Sequence, residues 1–508
     1  MKKNKKHKRG EIEEARQSKI DLIRRKWTRY STRIVISCCL LSLIGYSAYY
    51  FHKVEFDDTA LLGGDEWEYQ SMAVNFVKGH GFPVFGSVEP FGTYKLQRAW
   101  SQDWFNYYYD SFMKRKGEYY FYRTPAYPYF LGIVYKLFGI SPKIAKEIQL
   151  LLLIGVASLI PLVGFAHWGV GGFLSGLVSG GLFMTKYYSI SSDLMAEPLM
   201  IFTLLALLIS FILYERKKNI VTSSLLGLIL GLTPLVKGTL IFIPPLFLVY
   251  LVYQVIKKKS KIISVAPAIL VFLITVSSWS IYASHKSHQT IIFSTQGDVT
   301  LIDGNNEAQF QDGGWHPEVR NDARSFYGKD EIKHLPATSK LIRFYAEHYD
   351  MIPRVIYNKL KAGLDGFVYL KVALLLIIFE LSTILISHFI EKGSLKGNSR
   401  RPLHFIMALI GSLIGIFLFD IVILLLLCIA LITMTALIRK INSISLPISF
   451  LILFLNVLLI TITMFGFPRF VYIIDFLFML TAIRYGFVAV RALLPIGFTP
   501  GNRRLVSP

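Results

Sequence analysis

Runs of apolar residues recur along the chain from residue 34 to residue 490. A helix rises 1.5 Å per residue, so about 20 apolar residues are enough to cross the hydrocarbon core of a bilayer. Strands of alternating polarity, which a lipid-facing barrel would need, are not visible in the pattern. Because backbone polar groups in lipid leave only helices or closed barrels, the pattern predicts an all-α polytopic membrane protein with about 12 transmembrane helices.

Short basic connections separate many of the predicted spans, and they are YERKKN (214–219), KKKSK (257–261), EKGSLKGNSRR (391–401) and LIRK (437–440). Lysine and arginine in short connections favour the cytoplasmic side of a membrane. With these connections in the cytoplasm, the spans alternate without conflict. They are 34–51, 195–214, 220–236, 239–256, 262–282, 366–388, 404–419, 421–438, 446–465 and 469–490.

Two long connections differ from the short ones in charge. Residues 52–126, the first loop, hold 8 Lys/Arg and 10 Asp/Glu, and residues 284–365, the second loop, hold 10 and 11. A slightly acidic balance suits the outer side of the membrane. Polar residues at the ends of apolar helices face water and substrate, so any chemistry is expected in these two loops.

Three apolar stretches, 125–139, 147–166 and 170–186, lie between the first loop and the predicted span at 195–214. The first loop and the start of the span at 195–214 are both expected on the outer side. The chain must therefore cross the membrane an even number of times between them. Either one stretch is a partial or re-entrant helix, or two of them merge into one bent crossing. The sequence leaves both alternatives open.

The chain thereby divides into seven regions. These are a basic cytoplasmic segment (1–33), the first transmembrane helix (34–51), the first loop with the candidate active site (52–126), a transmembrane bundle (127–283), the second loop (284–365), a second transmembrane bundle (366–490) and a cytoplasmic tail (491–508). Residues 1–33 hold 13 Lys/Arg against 4 Asp/Glu. Orientation alone requires such charge next to a first span, and binding of RNA or anionic lipid is the alternative.

Composition agrees with this class of protein. A chain with 53% hydrophobic and 17% charged residues is not an ordinary soluble globule. Its three cysteines, Cys38, Cys39 and Cys428, fall inside predicted spans, so no disulfide framework is implied. The expected location is the plasma or inner membrane, with the N-terminus in the cytoplasm.

The segment GGDEWEYQSMAVNFVKGHGFP (63–83) predicts a short polar helix after the first span. Asp65 is suited to an N-cap with Glu68 in a capping-box position, and Lys78-Gly79 closes the helix. Its apolar residues recur at helical spacing, which predicts an amphipathic helix on the membrane surface. These residues are Tyr69, Met72, Ala73, Phe76 and Val77. Asp65 is therefore either a helix cap, a general base at the lipid–water boundary, or both.

Several segments, taken in order, resemble integral-membrane glycosyltransferases of the GT-C fold. They are GDEWEYQSMAVNFVKGHGF (64–82), YRTPAYPYFLGIVYKLFGIS (122–141), SSDLMAEPLMIFTLL (191–205), GLILGLTPLVKGTLIFIPPL (227–246), STQGDVTLIDGNNEAQFQDGGW (294–315) and GFPRFVYIIDFLFMLTA (466–482). The branch they are most similar to comprises the bacterial relatives of protein O-mannosyltransferases and of lipid A aminoarabinose transferases. No single segment is specific, and the resemblance depends on their order over most of the chain.

The resemblance implies transfer of a sugar from a polyprenyl phosphate to an acceptor on the outer face, usually with inversion at the anomeric carbon. Asp65 matches the position of the family's acid and is the candidate catalytic base. Glu66, and after it Glu68, is the substitute. Tyr69 lies one turn after Asp65 and is a candidate to orient the acceptor, with anchoring of the helix at the interface as the alternative.

Three cations are candidates for binding the donor phosphate. Arg123 stands before a proline and near a membrane boundary, where a guanidinium binds a phosphate in bidentate fashion. Arg469 corresponds to the arginine-containing turn that often precedes the last core helix in the resembling enzymes. Lys237 lies in a connection between two spans and is the weakest of the three. Contacts with ordinary phospholipids are the alternative for the arginines, and snorkelling for the lysine.

Glu197 begins a predicted span just before Pro198 and is a candidate for substrate binding, with Asp193 as its substitute. Its alternative role is to complement the helix dipole. Tyr127, in the segment that follows Arg123, is a further substrate-binding candidate. No cofactor is required, but Asp65 and Glu197 are the expected ligands if a divalent cation takes part. Lower-ranked acids are Glu380, Asp420 and Asp475, and the histidines left without a role are His80, His285 and His288.

The expected partners are a polyprenyl-phosphate sugar donor, an acceptor lipid, glycan or protein, and the membrane lipids, with no nucleic acid. The second loop is expected to close over the site, with Trp315 or the aromatic residues of DWFNYYYD (103–110) stacking on sugar rings or anchoring in the interface. The alternative functions are a transporter or flippase, and a polymerase or ligase, of lipid-linked glycans. The absence of an internal duplication argues against the transporter.

Overall fold

The computed structural model describes residues 31–59, 61–62, 64–84, 95–96, 117–316, 319, 322, 324–378, 420–425 and 447–493. Within these ranges the long elements are all helices, which confirms the predicted all-α class. They are α1 (Ser31–Lys53), α2 (Gly64–Val77), α3 (Ala126–Phe138), α4 (Pro142–Tyr187), α5 (Glu197–Lys217), α6 (Ile220–Val236), α7 (Ile243–Ile256), α8 (Ile262–Ser287), α9 (Gln296–Asp303), α10 (Asp330–Lys333), α11 (Ala337–Glu347), α12 (Ile352–Leu364), α13 (Val368–Ile378), α14 (Ile448–Thr463), α15 (Arg469–Tyr472) and α16 (Asp475–Leu493).

Shorter elements connect these helices. A parallel pair of two-residue strands, β1 (Leu61–Leu62) and β2 (Lys95–Leu96), lies in the first loop. The 3₁₀ turns are Tyr188–Ser192, Gly238–Leu240, Glu307–Phe310, Phe326–Gly328 and Tyr349–Met351.

Five helical segments in the described part of the chain are long and apolar enough to cross a membrane. They are Ser31–Lys53, Pro142–Ser192, Glu197–Lys217, Gly238–Ile256 and Ile262–Ser287, and the shorter apolar helices are α6, α13 and α14. The predicted spans at 404–419 and most of 421–438 lie outside the described residues. The total of about 12 spans therefore stays a prediction.

Helix α4 is a hairpin of two antiparallel helices that are joined at Gly169. This residue has φ 62° and ψ −144°, a non-helical conformation in the region that favours glycine. Across the hairpin, a Cβ at Gly172 would lie 1.9 Å from the carbonyl oxygen of Gly164, and one at Gly180 would lie 2.4 Å from that of Ala157. Contact between the two backbones therefore needs glycine at these positions.

The hairpin shows which of the three apolar stretches is short. Residues 142–168 and 170–187 are its two limbs, while α3 has only 13 residues. At 1.5 Å per residue α3 is about 20 Å long, less than the roughly 30 Å of the hydrocarbon core. An even number of crossings results if α3 is the partial helix and each limb crosses once.

The largest apolar core joins α4 to α8 with α12 to α16. Helix α6 packs against α5 and α8, and α16 packs against α4. The second loop has its own small core around Phe326 and Phe344. Residues 337–361 of the second loop form α11 and most of α12, and α12 packs against α14 and α15.

Helix α2 is buried in the protein, contrary to the prediction that it lies on the membrane surface. It packs against α3, and its polar residues Gln70, Ser71 and Asn75 are buried together with its apolar ones. The Asn75 side chain donates to the Val84 carbonyl (2.9 Å), and the Tyr135 hydroxyl donates to Gln70 (3.1 Å). The helical spacing predicted the helix correctly, but hydrogen bonds let the polar face enter the interior as well.

Candidate functional site

The site begins in the first turns of α2, where Asp65 and Glu68 lie on one face of the helix because they are three residues apart. Arg123, in the loop before α3, contacts both carboxylates. Its Nη2 lies 2.7 Å from Asp65 Oδ1, and its Nε donates to Glu68 Oε2. The Tyr120 hydroxyl donates to the other oxygen of Glu68 (2.6 Å). The two ends of the first loop are thereby joined by charge-assisted hydrogen bonds.

A second group of ion pairs forms at the first turn of α5. Glu197 begins this helix, with Pro198 in the first turn, where a missing N–H costs nothing. Lys237 Nζ donates to Glu197 Oε1 (2.6 Å), and Arg469 Nε donates to the same oxygen. The other oxygen, Oε2, is buried and has no hydrogen-bond partner among the described residues.

Arg469 connects the two groups, since its Nη1 lies 3.8 Å from Asp65 Oδ2. Three acids and three cations from positions 65 to 469 thus converge. This charged cluster comprises Asp65, Glu68, Arg123, Glu197, Lys237 and Arg469. Its charges balance when all six groups are ionised, which is how charges this deeply buried are stabilised.

A hydrogen bond from a side chain to the backbone joins the segments that carry two of the cations. The Thr124 hydroxyl donates to the Val236 carbonyl (2.9 Å), and both residues are buried. Thr124 comes directly after Arg123, and Val236 comes directly before Lys237. The loop before α3 and the end of α6 are therefore fixed to each other beside the cluster.

The cluster has an accessible side. The side chains of Asp65 and Arg469 are 21% and 27% exposed, whereas those of Arg123 and Glu197 are 10% and 3% exposed. A ligand that approaches the cluster meets Asp65 and Arg469 first. The ion pairs of Arg123 and Glu197 lie deeper in the protein.

The surroundings shift the pKa values of Asp65 and Glu68 in opposite directions. Burial raises the pKa of Asp65, but the charges of Arg123, Lys237 and Arg469 outweigh it and bring the pKa down to about 2. For Glu68, burial outweighs the attraction of Arg123, so that its pKa is raised. Asp65 is therefore the acid that stays ionised, and Glu68 is the more readily protonated one.

Tyr69 and Tyr127 lie beside the cluster and are both buried. The guanidinium carbon of Arg123 is 5.9 Å from the centre of the Tyr69 ring, and the rings of Tyr69 and Tyr127 meet edge to face at 4.8 Å. The Tyr127 hydroxyl donates to Gln149 (2.6 Å). Tyr127 thus packs against Tyr69 and is fully buried, and its role in substrate binding stays a prediction. Glu66 is also buried, and it interacts electrostatically with Tyr127.

The capping-box interpretation of Asp65 and Glu68 is wrong. Helix α2 already includes Gly64, so Asp65 lies in its first turn, and the Glu68 side chain turns to Arg123 and Tyr120. The competing partner is a guanidinium contributed from more than fifty residues away. Spacing along the helix does not reveal such a partner.

No group of three or more His, Cys, Asp or Glu side chains in the described ranges is arranged to hold a metal ion. Asp65 and Glu197, the predicted ligands, are both engaged by Arg469. A requirement for a divalent cation stays a prediction.

Other predicted residues lie apart from the cluster. Asp475, at the start of α16, accepts hydrogen bonds from Lys186 (2.8 Å) and Tyr187 (2.5 Å). Trp315 is half exposed beside Asp303 and Phe465. Glu380 and the aromatic segment 103–110 fall outside the described residues.

Comparisons of the chain with protein-family models, with curated proteins and with solved structures found no match.

Sequence reasoning missed Tyr120, which holds Glu68, and Lys359, which is fully buried in α12. Tyr120 belongs to the run YYFYR, in which no pattern separates one tyrosine from the next. Lys359 lies on a helix with two other cations, Arg354 and Lys361. The sequence indicated its burial only weakly, through the apolar residues on the same face of the helix.

Proposed function

We propose that this chain is an integral-membrane glycosyltransferase that moves a sugar from a polyprenyl phosphate to an acceptor on the outer face, like the GT-C enzymes that its sequence resembles. The observation that supports this best is the charged cluster, in which cations from three distant segments surround a partly accessible carboxylate. A cluster that served only to hold the fold would have no need of an accessible side.

In this proposal the donor phosphate binds to Arg469, Arg123 and Lys237. The phosphate oxygens replace carboxylate oxygens as partners of the two guanidinium groups, which present paired donors to either anion. Because the cluster is neutral beforehand, an incoming phosphate adds net negative charge. Uptake of a proton by Glu68, whose pKa is already raised, compensates part of that charge.

Asp65 is the general base of the proposed reaction. The acceptor oxygen attacks the anomeric carbon, its proton passes to Asp65, and the bond between that carbon and the phosphate oxygen breaks with the electron pair left on the phosphate. A carboxylate with a pKa of about 2 is a weak base at neutral pH. Phosphate binding neutralises the cations that hold the pKa down, so the base becomes effective when the donor is present.

Glu197 Oε2 is a candidate contact for the donor sugar. A buried carboxylate oxygen is normally paired with a hydrogen-bond donor or a cation. A sugar hydroxyl could donate such a hydrogen bond to Oε2, and a divalent cation could coordinate it. Addition of EDTA followed by Mg²⁺ or Mn²⁺ to the transfer assay distinguishes these two.

The test is transfer from labelled undecaprenyl-phosphate sugar by purified protein in detergent, since a transferase consumes the donor and a transporter does not. Asp65→Asn should lower turnover by at least about a hundredfold, the usual range for loss of a general base. Donor affinity should stay near the wild-type value or rise above it, because all three cations keep their charge and one carboxylate that competes with the phosphate becomes neutral. The matched control is Glu118→Gln, at an exposed acid of the same loop, which should leave turnover unchanged. Near-normal turnover by Asp65→Asn would show that Asp65 is not the base.

A further inference from the structure

The turn between α14 and α15 places Arg469, and the second loop holds this turn from two sides. The turn comprises residues 464–468, and its Gly466 N–H donates to the Gly313 carbonyl (2.8 Å). A Cβ at Gly304 would lie 2.1 Å from the Met464 carbonyl oxygen. Backbone contact this close leaves the turn little freedom to move relative to the second loop.

Helix α12 closes on the same turn. A Cβ at Gly466 would lie 2.1 Å from the Lys359 carbonyl oxygen, and one at Gly363 would lie 3.3 Å from the Cα of Gly466. The turn is therefore enclosed between α12 and the loop that contains Gly304 and Gly313. Small residues on both partners make that approach feasible.

The Lys359 side chain contacts both the segment around Asn305 and the end of α14. Its Nζ donates to Asn305 Oδ1 (2.5 Å) and to the Ile462 carbonyl (3.0 Å), one of the last carbonyls of α14. The Asn305 amide nitrogen donates in turn to the Thr463 carbonyl (2.9 Å). Lys359 thus links α12 to Asn305, earlier in the second loop, and to the end of α14, immediately before the turn that leads to Arg469.

The surroundings of Lys359 are unusual for a buried amine. It is fully buried, and no carboxylate lies within ion-pair distance of it among the described residues. The groups that face it are Asn305, whose Oδ1 also accepts from the Tyr345 hydroxyl (2.5 Å), and the backbone carbonyl of α14. A buried amine with only neutral partners is costly, so an apolar residue would serve better if packing were its only task.

We propose that Lys359 is a positioning residue for Arg469: it fixes the turn at residues 464–468 so that the Arg469 guanidinium reaches Asp65 and Glu197. The role that this gives Arg469 in donor binding rests on the proposed function. The linkage between Lys359 and the turn does not.

The first experiment is a double-mutant cycle on the binding of undecaprenyl phosphate, the donor without its sugar. Lys359→Met keeps the length of the side chain and removes both hydrogen bonds. It should weaken binding by about tenfold, the loss expected from one displaced charge-assisted contact. In the Arg469→Ala background it should have no further effect, because it acts through Arg469. Lys361→Met, at a half-exposed lysine of the same helix, is the control and should bind as wild type does.

The second experiment needs no ligand. Phe467→Cys, in a chain whose three cysteines are replaced, reports on the turn through its rate of reaction with a thiol reagent in detergent. Lys359→Met should raise that rate at least about fivefold, as the opening free energy of the turn falls. Asn305→Leu, which is similar in size and loses the hydrogen bonds to both Lys359 and Thr463, should act in the same direction and replaces Lys359→Met if that variant does not insert.

The outcomes separate the two proposals. If the wild type does not bind undecaprenyl phosphate but labelling at position 467 accelerates in Lys359→Met, the donor class is wrong and the positioning stands. An unchanged labelling rate overturns the positioning whatever the binding shows. Equal losses of binding in the wild-type and Arg469→Ala backgrounds also overturn it, because Lys359 would then act on the fold in general.

Discussion

Among the described ion pairs of the charged cluster, those of Arg469 join acids of two different helices, Asp65 of α2 at 3.8 Å and Glu197 of α5 through its Nε. Arg123, by contrast, is held entirely by the acids of α2. Removal of one arginine should therefore have a different effect from removal of the other. Loss of Arg469 removes the ion pairs that join α2 to α5, whereas loss of Arg123 removes the cation beside Glu68 and leaves Asp65 with Arg469.

Arg123→Ala should weaken the binding of undecaprenyl phosphate by about tenfold to a hundredfold, the range for a lost charged hydrogen bond. Titration of purified protein with the lipid measures this. Arg324→Ala is the matched control, because Arg324 is exposed and pairs only with the neighbouring Asp322 among the residues described. Equal affinity of Arg123→Ala and wild type would remove Arg123 from the phosphate site.

Lys359 should make stability depend on pH. Burial lowers the pKa of its amine to about 7 from an ordinary value of 10.5. Between these values the unfolded chain binds a proton that the folded chain does not, so the free energy of unfolding rises with pH from about 7 to about 10.5. Below pH 7 that contribution is lost, since both states are protonated and the charge is buried.

Thermal unfolding of wild type and Lys359→Met in detergent, followed at pH 7 and pH 9.5, tests this dependence. The wild type should gain stability relative to the variant at the higher pH, by about 1.4 kcal/mol for each pH unit in the titrating range. A difference between the two proteins that is the same at both pH values would show that Lys359 is not titrating there.

At the scale of elements, the α4 hairpin depends on backbone contact at its glycines. Gly180 and Gly181 are neighbours in one limb, but a Cβ at Gly180 would lie 2.4 Å from a carbonyl oxygen and one at Gly181 would lie 3.6 Å from the Tyr46 hydroxyl. Gly180→Ala should therefore destabilise the protein by about 1–3 kcal/mol, the usual cost of overpacking.

Gly181→Ala is the matched control, since both substitutions bring the same gain in helix propensity. It should leave the unfolding temperature in detergent unchanged or slightly raised. Equal unfolding temperatures of the two variants would mean that the limbs are not in contact at Gly180.

Element boundaries were predicted well where hydropathy changes sharply. The predicted span at 220–236 coincides with α6, and that at 262–282 lies within α8. The hairpin turn at Gly169 falls in the break between the predicted stretches 147–166 and 170–186. The sequence left open whether these stretches cross separately or merge into one bent crossing, because a single backbone conformation decides between the two. The burial of α2 was not predicted, since hydrogen bonds to Asn75 and Gln70 come from distant segments.

At the scale of the whole molecule, the predicted topology places the charged cluster on the outer side of the membrane and the basic connections on the cytoplasmic side. Single cysteines at His80, Glu118 and Asp312 should react with a membrane-impermeant reagent in intact cells. Cysteines at Lys217 and Lys257 should react only after permeabilisation. All five positions are exposed, so differences in rate report on the side of the membrane. Reaction of His80→Cys and Asp312→Cys from opposite sides would overturn the predicted topology.

Hydropathy and charge could predict that Asp65, Arg123, Lys237 and Arg469 lie at a similar depth, because each stands at the end of an apolar stretch. Their lateral contact could not be predicted, since it depends on which helices are neighbours. The pairing of Lys237 and Arg469 on one oxygen of Glu197 is a result of that arrangement. So is the location of Asp475 beside Lys186 instead of in the cluster.

The hydrogen bond from Thr124 to Val236 has a consequence for the range of substrates. It joins the backbone segments that carry Arg123 and Lys237, whereas Arg469 is carried by a separate turn. Room for a larger headgroup should thus come from displacement of Arg469. In the proposed function, differences in headgroup selectivity should therefore arise in the second loop, far along the sequence from Asp65.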